Sequence, residues 1–184
     1  DLALPFSDPT AGGGFVTIVE NAGESKAQGI ELETTIAFTD DFTLRSAIGY
    51  LDSEITEVDD GVLGIGKGDS PALTPRWTVM VAPSYFIDLS DGGTVAVNAN
   101  YSYRSDMQGQ SVYNQSEHID SRELVGFNIS YLNPNGDFEV TLYGENVLNE
   151  VYDVGRLQQS GFVGVMRSND RSEFGLKFKK EFEL

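Results

Sequence analysis

Cysteine is absent from this chain of 184 residues, and histidine and tryptophan each occur once. Without cysteine there is no disulfide bond and no thiolate chemistry. The single histidine, His118, has no cysteine partner and no second histidine at a metal-ligand spacing, so we interpret it as a loop residue and predict no metal site. No Gly-x-Ser-x-Gly nucleophile elbow occurs either. The sequence therefore predicts neither catalysis nor a cofactor.

Basic residues are scarce in this chain. Lysine and arginine number 12 against 29 aspartate and glutamate residues, which gives a formal net charge of -17. Because the phosphates of a nucleic acid would be repelled, we exclude nucleic acid as a partner. The acidic loop that contains Asp59, Asp60 and Asp69 lacks the ligand spacing of an EF-hand, so we interpret it as solvated rather than as a calcium site.

Long apolar runs are also missing, since no stretch approaches the roughly 20 consecutive apolar residues of a membrane helix. Apolar residues nevertheless make up 40% of the chain, which excludes wholesale disorder. They alternate with polar residues instead. In the last segment the apolar residues Phe174, Leu176, Phe178, Phe182 and Leu184 share one face. A period of two predicts a β-strand with one apolar and one polar face.

Seven segments show this alternation, and turns or polar loops separate them. Their apolar residues run from Phe15 to Phe38, Phe42 to Tyr50, Trp77 to Tyr85, Val95 to Tyr103, Val125 to Tyr131, Phe138 to Leu142 and Phe174 to Leu184. Strands of about 9 to 11 residues with an apolar outer face and a polar inner face are typical of a transmembrane β-barrel. The predicted fold class is therefore all-β, an antiparallel transmembrane β-barrel.

The connections between these strands alternate between short and long. We predict three long loops, at about residues 54–70, 106–121 and 149–170. Outer-membrane barrels have short periplasmic turns and long external loops, so this alternation orients the chain. The last strand is then expected to end at the periplasmic side.

The strand count argues against a closed barrel. Seven strands that begin and end in the same direction cannot close antiparallel, because the first and last would lie parallel. Residues 1–13 offer the top of an eighth strand, but Pro5, Pro9 and the adjacent glycines leave fewer than the roughly nine residues that a crossing needs. An open sheet in lipid would leave N–H and C=O groups unpaired. We therefore expect residues 1–184 to be the C-terminal portion of a larger barrel.

Four segments at the junctions of loops and strands carry motifs. They are Asn21-Ala22-Gly23 followed by Gly29-Ile30-Glu31-Leu32, Pro75-Arg76 before a strand, Asn146-Val147-Leu148-Asn149-Glu150-Val151-Tyr152, and Arg171 followed by Gly175-Leu176-Lys177-Phe178. In this order they resemble the C-terminal barrel of TonB-dependent outer-membrane receptors, over nearly the whole chain. The residues that carry the resemblance are Asn21, Gly23, Gly29, Glu31, Pro75, Arg76, Asn146, Asn149, Tyr152, Arg171 and Gly175.

The resemblance implies a barrel of the 22-stranded type whose N-terminal strands and plug domain lie outside these residues. It implies an outer-membrane transporter that binds a scarce external ligand, namely a ferric siderophore, another metal chelate or an oligosaccharide. Import would use energy relayed by the TonB complex, which contacts the plug. Outer-membrane lipid and lipopolysaccharide are implied surroundings. The barrel-assembly machinery is a further implied partner, and the assembly signal would comprise Phe178, Phe182 and Leu184, although the family usually ends on an aromatic residue.

Rim residues of such receptors capture the ligand, since arginine suits planar anionic groups and tyrosine stacks on rings. The rim candidates here are Tyr103, Arg104, Tyr113, His118, Arg156, Gln158, Gln159 and Arg167. Arg45 and Arg76 are expected to face the lumen, where carboxylates of the plug are candidate partners. Lys180 is a charge on the apolar pattern, and its position near the periplasmic end allows its long side chain to snorkel.

Two other interpretations stay open at this point. The first is a complete eight-stranded outer-membrane barrel with a structural or adhesin role, which the odd strand count disfavours. The second is a soluble β-barrel that binds a ligand. Its apolar face would point inward and its loops would not alternate so regularly in length, so it is the weaker alternative.

Overall fold

The structure, a computed structural model, describes residues 2–7, 17–60, 62, 64–109, 118–159, 162–168 and 171–182. No helix among these residues is long and apolar enough to cross a membrane. The β-strands are β1 (Leu2–Ser7), β2 (Thr17–Ala37), β3 (Phe42–Val58), β4 (Trp77–Asp88), β5 (Thr94–Arg104), β6 (Met107–Gln108), β7 (His118–Ile119), β8 (Arg122–Leu132), β9 (Phe138–Glu145), β10 (Asp153–Gln159), β11 (Phe162–Arg167) and β12 (Glu173–Lys180).

Eight of these strands form one antiparallel sheet in the order β1-β2-β3-β4-β5-β8-β9-β12. Seven correspond to the strands that the alternation predicts. β1 is the eighth strand, and its residues pair with β2 between Thr17 and Gly23. Pro5 lies opposite Val19 in this ladder. β1 and β12 lie at opposite ends of the sheet and do not pair with each other, so the sheet is an open part of a barrel.

The three regions that we predicted as long loops contain further strand structure. β3 continues to Val58 within the first region. β6 and β7 form a short ladder in the second, and β10 and β11 form a hairpin in the third. The sequence pattern does not indicate this hairpin, because a bulge between Asp153 and Gly155 interrupts the alternation.

Among the described residues, many large side chains on the apolar face of the sheet are exposed. Ile30 is 74% exposed, Phe178 67% and Leu176 53%. Among the described residues, the buried apolar side chains are Ala22, Ile55 and Ile119, which lie towards the long-loop end of the sheet. A continuous apolar surface of this kind is stable against lipid rather than water, so this face of the sheet faces the membrane.

Aromatic rings mark two levels on the apolar face. The rings of Tyr50 and Trp77 contact each other with centroids 4.7 Å apart. Phe42 lies between Phe38, at 5.4 Å, and Tyr85, at 6.3 Å. Phe42 and Tyr50 are eight residues apart on β3, which is about 27 Å along a strand. At a tilt of about 40° this spans about 20 Å of membrane, close to the roughly 25 Å apolar band between the aromatic girdles of outer-membrane barrels.

β2 and β3 continue past the level of Tyr50 on the side of the long loops. Their ladder reaches Gly23 opposite Val58. Ala22 and Ile55 are buried there, and the partly buried side chains packed against them are Val58, Val62 and Ile65. The connection to β4 folds back over this cluster, since the main-chain N–H of Ile55 donates to the carbonyl of Asp69 at 2.8 Å.

Candidate ligand-binding face

The polar side chains of the sheet share the face opposite the apolar one. The register places Asn98 opposite Asn128, and Asn128 opposite Tyr143. The Nδ2 of Asn98 donates to the Oδ1 of Asn128 at 2.9 Å, and the Nζ of Lys177 lies 4.6 Å from the ring centre of Tyr143. These contacts form a continuous polar surface across β5, β8, β9 and β12.

A cavity of about 670 Å³ opens on this polar face at the ends of β5, β8, β9 and β12 that meet the long loops. Small-molecule sites usually measure about 300 to 1,000 Å³. Two carboxylates line the cavity, because Glu145 and Glu173 are directly opposite each other in the ladder. The hydroxyl of Tyr143 donates to the Oε1 of Glu173 at 2.9 Å. Other polar side chains of the lining include Asn100, Ser102, Asn146, Tyr152 and Arg171.

A turn built by two asparagines brings Tyr152 to this cavity. Asn146 and Asn149 have positive φ angles of 44° and 53°, which asparagine tolerates better than most residues. The side-chain amide of Asn146 donates to the carbonyl of Glu150 and accepts from its N–H, both at 2.9 Å. The Oδ1 of Asn149 accepts from the N–H of Ser172 at 3.2 Å, which ties the turn to the start of β12.

Two arginines oppose each other on the polar face beside the cavity. Arg104 ends β5 and Arg122 begins β8, and the two are direct partners in the ladder. The guanidinium of Arg122 lies over the ring of Tyr152, 4.7 Å from its centre, in the range of a cation–π interaction. The Nη2 of Arg104 donates to the carbonyl of Asp120 at 3.2 Å. Its buried Nε has no hydrogen-bond partner among the described residues.

An ion-pair network stabilises the hairpin of β10 and β11. The side chain of Asp153 is 6% exposed, and its Oδ2 accepts from the Nη2 of Arg156 at 2.6 Å while its Oδ1 accepts from the Nε of Arg167 at 2.9 Å. The bulge after Asp153 permits this, because one additional residue turns Arg156 to the side of Asp153. Burial acts to raise the pKa of Asp153, but hydrogen bonds from Arg167 and Arg156 outweigh it and hold the pKa below its ordinary value.

His118 lies close to two exposed carboxylates. Its Nε2 is 3.7 Å from the Oδ2 of Asp106 and 3.6 Å from the Oδ1 of Asp120. In the ranges of the chain that the structure describes, no group of three or more histidine, aspartate or glutamate side chains is arranged to hold a metal ion.

Comparison with known proteins adds the decisive observation. Residues 1–147 match the profile of the family described as TonB dependent receptor-like, beta-barrel. The chain belongs to the TonB-dependent receptor family. It is therefore an outer-membrane protein of the Gram-negative cell envelope, in a family whose members are transporters and receptors. The comparison with curated proteins found no match.

Solved structures of receptors share the fold of this chain. The ferric yersiniabactin uptake receptor of Yersinia pestis matches 90% of the chain with a TM-score of 0.74 and 17% identity. The ferric preacinetobactin receptor of Acinetobacter baumannii matches 98% with a TM-score of 0.67 and 19% identity. A siderophore receptor of Acinetobacter baumannii matches 97% with a TM-score of 0.70 and 19% identity. The matched region is 25%, 26% and 24% of those chains, so this chain spans about a quarter of their length.

In this TonB-dependent receptor barrel, several of the motif residues have structural roles. Gly23 has a φ of 138°, and a Cβ there would lie 2.0 Å from the carbonyl oxygen of Glu57, so glycine is required at this close approach. Gly175 lies beside the ring of Tyr143, where a Cβ would come within 2.5 Å of the ring. Arg76 pairs with Asp52 at 3.6 Å, within the chain itself.

The rim candidates of the receptor do not form one cluster. Tyr103 lies on the apolar face, opposite Val79. Arg104 lies on the polar face, and Arg156 and Arg167 both bind Asp153. Gln158 and Gln159 lie in β10, and Tyr113 lies outside the described residues. The strand alternation already indicated the apolar position of Tyr103, because Tyr103 continues the row of Val95, Val97 and Tyr101.

Two residues that make central contacts in the structure were not among the candidates from the sequence. Arg122 was not a candidate, although it shares the polar register of the strand that follows the second long loop and lies opposite Arg104. Asp153 was not a candidate either, although it lies three residues before Arg156, which was a candidate.

The terminal strand presents apolar side chains outward. Phe178 pairs with Val140 on the apolar face, and Phe182 follows the strand and is also exposed. Leu184 lies outside the described residues. Lys180 binds the carboxylate of Asp137, in the short turn before β9.

Proposed function

We propose that this chain forms the C-terminal part of the wall of an outer-membrane active transporter, which binds a scarce external ligand and imports it with energy relayed by TonB. The observation that carries the proposal is the two-sided sheet. One side bears exposed apolar residues between two aromatic levels, and the other is polar with a cavity of about 670 Å³ at the long-loop end.

A ferric siderophore or another ferric chelate is the proposed ligand class, in preference to an oligosaccharide. The three receptors with this fold are named as a ferric yersiniabactin receptor, a ferric preacinetobactin receptor and a siderophore receptor. Tyr152 and Arg171 in the cavity support the same class, because arginine binds anionic groups and tyrosine stacks on the rings that chelate iron. The carboxylates of Glu145 and Glu173 in the same lining oppose negative charge next to them.

We further propose that the plug domain and the remaining strands belong to the rest of the same receptor. The open sheet supports this proposal, since β1 and β12 each have one unpaired side and such edges are costly in lipid. The alternative of a complete eight-stranded barrel would require these two strands to pair.

Uptake of radioactive iron by cells tests the proposed function. The whole receptor is expressed in a strain that lacks its own ferric chelate receptors, and a panel of ferric siderophores is supplied at nanomolar concentration. We expect uptake of at least one chelate, and we expect loss of TonB or collapse of the proton gradient to abolish it. Uptake that survives both treatments would indicate a passive barrel and contradict the proposal.

A further inference from the structure

We propose that Arg104 and Arg122 form a binding site for an oxyanion, in the first instance a carboxylate, on the polar face of the barrel wall. The inference rests on the proposed function to the extent that this face lines the transport lumen. The carboxylate has two possible sources, an anionic group of the ligand or a side chain of the receptor's own plug, and the chemistry at the two guanidiniums is the same for both.

The first argument is electrostatic. Arg104 and Arg122 are direct partners in an antiparallel ladder, where opposed Cβ atoms lie about 4.5 to 5.5 Å apart and like charges are destabilising. The chain has 29 acidic residues against 12 basic ones, yet neither guanidinium pairs with a carboxylate in the part of the chain that the structure describes. Arg156 and Arg167 show the contrast, because one carboxylate, that of Asp153, binds both.

The second argument is the orientation of the donors. The ring of Tyr152 supports one face of the Arg122 guanidinium, which leaves the N–H groups at the edge of the plane free to donate. The Nε of Arg104 is buried and lacks a partner among the described residues. A buried donor without a partner is costly, so this part of Arg104 adds to the cost of the opposed pair. An oxyanion between the two guanidiniums would be held by their accessible terminal N–H groups and would neutralise both charges.

The third argument is size. Both arginines line a cavity of about 250 Å³, together with Thr78, Met80 and Ser102. This volume is below the roughly 300 Å³ at which sites for whole small molecules begin, so it suits one carboxylate group rather than a complete chelate. Ser102 also lines the cavity of about 670 Å³, so the two cavities adjoin. A carboxylate arm that extends past Ser102 from a chelate in the larger cavity would approach the arginine pair.

Citrate is the probe that tests this site, and its uncharged trimethyl ester is the control ligand. Binding to the whole receptor in detergent is measured by calorimetry for the unsubstituted protein, Arg104→Gln and Arg122→Gln. Lys26→Gln is the matched control, because it removes one positive charge from β2, opposite Glu54 and away from the arginine pair. The thermal midpoint Tm of the anion-free receptor is measured in parallel for every variant, and retention of the heat-modifiable band on gels establishes that each barrel is folded.

Each source of the carboxylate predicts a different result. If it comes from the ligand, we expect citrate but not its ester to bind, with a loss of about tenfold or more in Arg104→Gln and in Arg122→Gln. The Tm of these two variants without anions should then be equal to or higher than that of the unsubstituted protein, because each substitution relieves the repulsion between the guanidiniums. If it comes from the plug, we expect no citrate binding, and a lower Tm in these two variants than in Lys26→Gln. Citrate binding and Tm values that both match those of Lys26→Gln would overturn the proposal.

Failure of this inference is separable from failure of the proposed function. If a ferric chelate is taken up in a TonB-dependent way, but citrate binding and Tm in the two arginine variants match those of Lys26→Gln, the oxyanion site is contradicted and the proposed transport function stands. If citrate binding depends on the two arginines but no TonB-dependent uptake is found, the oxyanion site stands and the proposed transport function is contradicted.

Discussion

The side chains of Thr34 and Ser46 form a hydrogen bond with each other, with their oxygens 2.7 Å apart, on the face of the sheet that contacts lipid. The two residues are direct partners in the ladder between β2 and β3, and Leu32 and Ile36 flank Thr34 on the same face. A hydroxyl group in hydrocarbon is costly unless it has a partner. Each hydroxyl is the hydrogen-bond partner of the other. The two polar residues on the apolar face therefore reduce each other's cost of burial in lipid.

Replacement of one member of this pair should cost more than replacement of both. We expect Thr34→Val to lower the free energy of unfolding of the whole receptor by about 0.5 to 2 kcal/mol, because the hydroxyl of Ser46 then lacks its partner in lipid. The double variant Thr34→Val/Ser46→Ala should recover part of this loss. Reversible urea unfolding in lipid vesicles measures the three values, and strictly additive losses would contradict the pairing.

The two faces of β9 should differ sharply in their tolerance of charge. Leu142 lies on the apolar face opposite Ile129 and Leu176, whereas Thr141 lies on the polar face. We expect Leu142→Arg to destabilise the receptor by about 2 to 4 kcal/mol near the middle of the membrane. Thr141→Arg serves as the control, with a much smaller expected loss in the same unfolding experiment. Equal losses would mean that the assignment of the two faces is wrong.

Low pH should destabilise the hairpin of β10 and β11. The folded pKa of Asp153 lies below its ordinary value, so its stabilising contribution is present above about pH 4 and is lost as the pH falls through the folded pKa. We expect slow hydrogen exchange at the main-chain amides of this hairpin at neutral pH and faster exchange in acid, after correction for the intrinsic rate.

The variant Asp153→Asn should exchange rapidly at every pH, because the charges of Arg156 and Arg167 then lack their common partner. The local loss is expected to be about 1 to 3 kcal/mol, below the value for fully buried ion pairs because the side chain of Arg167 is 60% exposed. Asp60→Asn is the control, since Asp60 is exposed. Hairpin exchange in Asp153→Asn that equals exchange in Asp60→Asn would show that the network does not stabilise the hairpin.

The unpaired edges of the sheet predict the behaviour of residues 1–184 when they are produced alone. We expect aggregation or an unfolded chain in detergent, because β1 and β12 each expose a row of unpaired main-chain groups. Gel mobility without heating and size-exclusion chromatography provide the measurement. A compact, heat-resistant monomer would instead favour the complete eight-stranded barrel.

The local sequence determined which side of the sheet is apolar. Successive side chains of a strand point to opposite faces whatever lies beside the strand, so the row Phe174, Leu176 and Phe178 identified the lipid face without a partner strand. The short turns and the motif around Asn146 were also local signals. These features together were sufficient for the fold class and for the family.

Only the tertiary structure decided which residues meet across the ladders. The eighth strand exists because β2 provides a partner for a segment that contains Pro5. The opposition of Arg104 and Arg122 depends on the register of β5 and β8, and the binding of Arg156 to Asp153 depends on a bulge. Register and bulges arise from pairing between distant segments, so the physical contacts of the candidate site follow from the folded sheet rather than from the period of any one strand.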